Sequence, residues 1–273
     1  KISNNEDFTI NSVTVGKGAN SVANNTVLGE NALDASVSGG NNTAIGSVTL
    51  TLNTSGAKNT ALGSGALSAN TTASNNTAIG YEAMDQNTTG ANNVAVGAFA
   101  FDANTTGTNN TAVGKGSLGN ATTANNNTAV GQSALEANTT GQYNTAIGTN
   151  SLDACTTGSQ NTAIGDNALG SSTTASDNTA VGRDALKDNT SGNNNVAVGK
   201  DAMESNTTGY NNTSVGTYSL YVNTTGDFNT AVGKDALAAN TTADNNTAIG
   251  HDALTANTTG TFNVAVGANA LDA

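Results

Sequence analysis

The stretch NNTAIGYEAMDQNTTGANNVAVG, residues 75–97, holds nearly one phrase twice, and the distance between its copies decides the fold. Aligned on the glycine that closes each apolar triplet, the phrase recurs at Gly29, Gly46, Gly63, Gly80, Gly97, Gly114, Gly131, Gly148, Gly165, Gly182, Gly199, Gly216, Gly233, Gly250 and Gly267, each 17 residues after the last. Fifteen copies without an insertion mark a solenoid, in which every coil must end above the same point of the one before.

Positions are counted from that glycine as 0. Position −4 is Asn in every copy: Asn25, Asn42, Asn59, Asn76, Asn93, Asn110, Asn127, Asn144, Asn161, Asn178, Asn195, Asn212, Asn229, Asn246 and Asn263. Position −3 is Thr, or Val at Val94, Val196 and Val264; position −2 is Ala except at Val27 and Ser214; position −1 is always Val, Ile or Leu. This reads as a short strand. Side chains alternate across a strand, and the reading assigns the Thr and Val/Ile face to the core and the Asn, Ala and Gly face to a flat outer surface. Position +4 is Leu, with Met84, Phe101 and Met203 as its only substitutions, and forms a second apolar edge.

The remaining NTTG or NTTA segment, as at 87–90 and 70–73, is expected to be a turn, since Gly and Asn tolerate positive φ and Thr or Asn side chains satisfy turn backbone groups. Positions +1, +2, +5 and +6 collect most charges, including Glu82, Asp102, Lys115, Glu136 and Arg183, and are expected to face water. β-Branched residues beside Gly, with no apolar stripe of 3.6-residue period, make helical repeats a poor alternative. The fold class is therefore all-β: a parallel β-solenoid, or β-roll, of about fifteen 17-residue coils. Residues 12–273 form the repeat domain, and 1–11 an N-terminal cap or connector. Identical Asn residues stacked about 4.7 to 4.9 Å apart can hydrogen-bond along the axis as a ladder, and fifteen such turns extend on the order of 70 Å.

Composition agrees. An apolar share of 36% with only 4% aromatic residues is too lean for a large conventional core. Charged residues are only 10% of the chain, unlike the strongly charged compositions that stay disordered. A net charge of −12 with 8 Lys and Arg argues against nucleic acid, whose phosphates need clustered cations. No apolar run approaches the roughly 18 residues of a membrane span, so no membrane insertion is expected in this segment. Cys155 stands where sister repeats carry Asn and reads as a drifted repeat position with neither a disulfide nor a metal pair.

The phrase NTAIG followed by xxAL resembles the repeat of the YadA-like heads of trimeric autotransporter adhesins, S-V-A-I-G-x-x-S-x-A. The opening residues Ser12 to Ala23, SVTVGKGANSVA, are closer still to that shorter phrase. The long NTAIGxxALxxNTTG arrays also look like those of bacteriophage tail-fibre and other structural proteins. The resemblance covers about residues 12–273 and implies a left-handed parallel β-roll, with three chains around one axis. The 17-residue unit departs from the family's shorter coil by three residues carried in its NTTG turn.

Residues that could carry chemistry are few. His251 is the only histidine and reads as a solvated substitution just after Gly250. The glycines follow no phosphate-cradle pattern, and Asp recurs at no inward position that would make a calcium site in every coil. No catalytic residue, metal site or cofactor is expected, and the chain is read as a non-enzyme; a polysaccharide hydrolase would need a clustered carboxylate pair. Asn41, Asn87, Asn104 and Asn206 begin glycosylation sequons that the repeat already demands for other reasons. Tyr143, Tyr210, Phe228 and Phe262 are candidate surface contacts for sugars. The expected role is a structural, adhesive fibre segment, a tail-fibre or surface-adhesin shaft or head. It would be extracellular on a virion or cell, homotrimeric, with fibre or virion proteins and host-surface glycans or receptors as partners. The alternative is an ice-binding solenoid using the stacked threonines at positions +8 and +9, as at Thr88, Thr89, Thr105 and Thr106.

Overall fold

The computed structural model describes residues 7–35 and 37–272, so residues 1–6 of the expected N-terminal cap lie outside the described residues, as do Ser36 and Ala273. The chain divides into two units, 1–133 and 134–273. The first carries β1 (Phe8–Ile10), β2 (Val13–Gly16), β3 (Thr26–Gly29), β4 (Thr43–Ile45), β5 (Thr60–Leu62), β6 (Thr77–Ile79), β7 (Val94–Val96), β8 (Thr111–Val113) and β9 (Thr128–Val130). In the second are β10 (Thr145–Ile147), β11 (Thr162–Ile164), β12 (Thr179–Val181), β13 (Val196–Val198), β14 (Thr213–Val215), β15 (Thr230–Val232), β16 (Thr247–Ile249) and β17 (Val264–Val266). The protein is an all-β parallel solenoid of about fourteen turns. Within each unit every repeat strand pairs in parallel with the strand 17 residues on, as Thr43 with Thr60 and Thr162 with Thr179.

The parallel register begins at β3. β1 and β2 form an antiparallel hairpin, and β2 also runs antiparallel to β3. Val13–Gly16, which the sequence pattern groups with the repeats, is therefore not a parallel coil. Asp7 fastens the strand end beyond it, its two carboxylate oxygens accepting the backbone N–H groups of Lys17 and Gly18 at 2.6 Å each.

The strand faces are the reverse of the expectation. Along the repeat strands the pattern is out, in, out: Ala44, Ala78, Ala146 and Ala180 are fully buried, while the flanking Thr and Val/Ile are half-buried or exposed. The reason is volume. A 17-residue coil encloses only a thin interior, and position +4 already sends a fully buried Leu into it, as Leu67, Leu135 and Leu186 do. Mostly Ala, with Ala or Ser at +3 and the Asn of position −4, fits opposite, Val27 and Thr49 being the buried β-branched exceptions; the Thr and Val/Ile of positions −3 and −1 turn outward. Burying each Leu contributes about 2 kcal/mol, so a coil is held by its neighbours rather than by itself.

Turn chemistry also differs from the reading. The corner glycines from Gly46 to Gly267 have φ between +127° and +141°, a region essentially closed to residues with a Cβ. Left-handed φ recurs at +2, +4 and +12, as at Glu82 (51°), Met84 (53°) and Asn92 (61°). The NTTG glycines do not use it. Gly90 and Gly107 lie outside the positive-φ set, and their bend is closed by side chains instead.

Candidate functional site

Two files of buried asparagine run through the coils. At −4, the Asn backbone N–H donates to the side-chain oxygen one coil back, as Asn76 to Asn59 (3.0 Å) and Asn212 to Asn195 (3.0 Å), whereas the first, Asn25, donates to the Val22 carbonyl. Its amide nitrogen donates to the carbonyl 14 residues on, at +10 of the same repeat, as Asn76 to Gly90 and Asn212 to Gly226, both 2.8 Å. Direct amide-to-amide bonds are secondary here, as Asn110 to Asn93 at 3.2 Å. This file thus stitches backbone to backbone through the side chain more than it forms a free amide ladder.

The amide ladder proper lies at +7, in the Asn of NTTG, which the sequence reading treated only as a turn residue. Asn87 donates to Asn70 (3.0 Å), Asn104 to Asn87 (2.7 Å), Asn206 to Asn189 (2.9 Å) and Asn223 to Asn206 (2.9 Å). The same amides close the turn by donating to the carbonyl three residues on, as Asn87 to Gly90 at 3.1 Å. The signal was present: the positions where this Asn is lost hold Ser36, Ala121, Cys155 and Ser172, all small uncharged residues. Cys155 is a buried free thiol whose pKa burial pushes up to about 11. Ser172 is left with an unpartnered buried hydroxyl. Three of the sequons fall in this file; Asn87, Asn104 and Asn206 are fully buried, whereas Asn41 is exposed.

The threonine files separate. The +8 hydroxyl is committed to the next coil, Thr88 donating to the Thr105 carbonyl at 2.9 Å and Thr207 to that of Thr224 at 3.0 Å. The +9 threonines, such as Thr89, Thr106 and Thr225, are exposed. The outward strand face presents the −3 Thr and −1 Val/Ile files, including Leu62, Ile147, Ile164 and Ile249. Positions −4 to 0 contain no charged residue in any copy. Among the inward departures, Ser214 at −2 is matched by Ser219 at +3, to whose carbonyl it donates at 2.8 Å.

The candidate surface aromatics are indeed at the surface, Tyr143, Tyr210, Phe228 and Phe262 being 61%, 41%, 50% and 77% exposed. Tyr210 and Phe228 meet edge to face with centroids 5.2 Å apart; Tyr143 stands several coils away in sequence. Most charges lie at +1, +2, +5 and +6, half-buried or exposed, but Asp201 is buried against the expectation, its side chain 7% exposed beneath Arg183 and Lys200. No described helix is long and apolar enough to cross a membrane.

These features define the class of protein: a β-solenoid repeat protein whose invariant residues are spent on joining one coil to the next. No protein-family model matches the chain, and no curated protein matches it in sequence.

Proposed function

We propose that the chain is a structural, adhesive fibre segment, a tail-fibre or surface-adhesin shaft or head that works outside the cell and holds a recognition element at a distance. The observation that carries this reading is the commitment of the repeat to stacking. Strand, turn and two files of buried amides all bond to the coil 17 residues away, and such an array lengthens by whole coils without disturbing its neighbours. The resemblance to YadA-like heads adds left-handed coils and three chains per fibre.

The packing face of that trimer is the outward Thr and Val/Ile face, since the Ala and Asn face is the coil interior. An uncharged, apolar sheet surface on a chain of net charge −12 is an interaction surface by its chemistry. Fibre or virion proteins would join its ends, and exposed aromatics such as Tyr210 and Phe228 supply flat rings for host-surface glycans. The exposed +9 and −3 threonine files favour a second reading, an ice-binding solenoid. The +8 file does not contribute to it, because its hydroxyls already donate to backbone.

Light scattering tests the assembly: a mass near 80 kDa, three times 26.8 kDa, is expected, and one near 27 kDa would remove the trimer. Excision of one whole repeat, residues 179–195, is expected to leave a folded trimer. Ice shaping by the purified protein would overturn the fibre reading in favour of the second.

A further inference from the structure

In the second unit one column of charges changes character at a single coil. Position +2 is Asp in four coils, Asp184, Asp201, Asp235 and Asp252, and the residue before each is Arg183, Lys200, Lys234 and His251. The three permanent cations each pair with the Asp that follows: Arg183 with Asp184 at 3.2 Å, Lys200 with Asp201 at 3.2 Å, and Lys234 with Asp235 at 2.5 Å. At the fourth coil an imidazole takes the cation's place, its Nδ1 lying 2.9 Å from the Asp252 carboxylate. An ammonium or guanidinium can only neutralise its neighbour; a neutral imidazole can also ligate a metal.

Register brings a third ligand. The Asp252 N–H donates to the Lys234 carbonyl at 3.0 Å, which sets Asp252 beside Asp235 of the preceding coil. The two aspartates share one backbone conformation, with φ of 57° and 56°. One ligand atom from each of Asp235, His251 and Asp252 can be chosen so that all three lie within 4.8 Å of one another. Lys234 holds one oxygen of Asp235, but its side chain is 56% exposed and can swing into water.

We propose that Asp235, His251 and Asp252 form a binding site for a divalent transition cation of the Zn²⁺ type, with water completing the coordination. One imidazole nitrogen and two carboxylate oxygens suit Zn²⁺. They do not suit Ca²⁺ or Mg²⁺, which take six or more oxygens in all. The ion supplies at this coil the fixed positive charge that Arg183 and Lys200 supply in theirs, and it joins two successive coils.

His251 is the only histidine, so its imidazole NMR signals report on the site without ambiguity. Titration of metal-free protein with ZnCl₂ in a non-chelating buffer is expected to move or broaden those signals with a stoichiometry of one per chain, while MgCl₂ leaves them in place. Asp235→Asn should weaken binding at least tenfold. His251→Lys, which installs the cation used by the other coils, should keep the circular dichroism and thermal midpoint but abolish saturable Zn²⁺ binding by calorimetry. Unmoved imidazole signals at stoichiometric Zn²⁺ would overturn the site. So would equal Zn²⁺ affinity in His251→Lys, which would mean that surface carboxylates alone bind the ion, or an equal response to Mg²⁺.

Discussion

At the scale of the residue, the invariant positions are those where one side chain serves several backbone groups. Asn212 takes part in bonds to Asn195, Gly226 and Asn229, so Asn212→Ala leaves the Asn229 N–H unpaired in the interior and the Gly226 carbonyl with the Asn223 amide alone. At about 1–3 kcal/mol for an orphaned buried group, a loss of that order is expected, read by chemical denaturation. Glycine divides into two kinds. A Cβ on Gly182 would stand 2.3 Å from the Gly199 carbonyl oxygen at a φ of +138°, so Gly182→Ala should lower the thermal midpoint strongly. A Cβ on Gly192 would also meet a backbone oxygen, that of Gly209 at 2.2 Å, but φ there is not left-handed and Ala73 and Ala175 fill the same position in other coils, so Gly192→Ala should cost less than Gly182→Ala. Asp102 illustrates the acidic surface. Partial burial first, then the nearby Asp85 and Glu82, raise its pKa. The folded state therefore holds this proton more tightly than the unfolded one, and the stability contributed falls as pH rises through the carboxylate range. Asp102→Asn should raise the thermal midpoint at pH 7, with the gain shrinking toward pH 3.

At the scale of the element, the coil is a three-residue strand, a glycine corner and a turn whose interior is lined by amides. Hydrophobicity alone misassigns such a strand, because it takes Val and Ile for the inner face and Ala for the outer. The +7 ladder is interrupted where Asn gives way to Ala121, Cys155 and Ser172. Ser172→Asn offers an amide in place of the orphaned hydroxyl and an acceptor for Asn189 in the next coil. A gain of about 1 kcal/mol is expected from the added hydrogen bonds, seen as a raised calorimetric midpoint; a lowered one would mean that the gap is too small for the amide.

At the scale of the whole molecule, the proposed interaction surface is the uncharged outer face of the strands. Ile164 lies on it, 37% exposed and free of any role in the coil interior. Ile164→Glu places a charge on the proposed packing face of each chain. The expected outcome is an unchanged far-UV spectrum with a fall in mass toward the single chain; an intact trimer would move the contact to another face. The same substitution lies away from Asp235, His251 and Asp252 in sequence and should leave Zn²⁺ binding unaltered, which separates assembly from the proposed metal site.

The 17-residue period, the parallel stacking and the special standing of the −4 Asn and corner Gly were legible in the sequence, because each coil must repeat the same backbone and any insertion would break register. The +4 Leu was legible as an apolar edge for the same reason. Tertiary structure decided what repetition cannot encode. Which strand face turns inward depends on how much volume one coil encloses, and that volume admits Ala78 but not Ile79. Whether an Asn is a turn residue or a rung depends on what lies one coil away, and Asn87 is both. That His251 meets a second aspartate follows from register across coils, since Asp235 is 16 residues distant along the chain and adjacent only after folding.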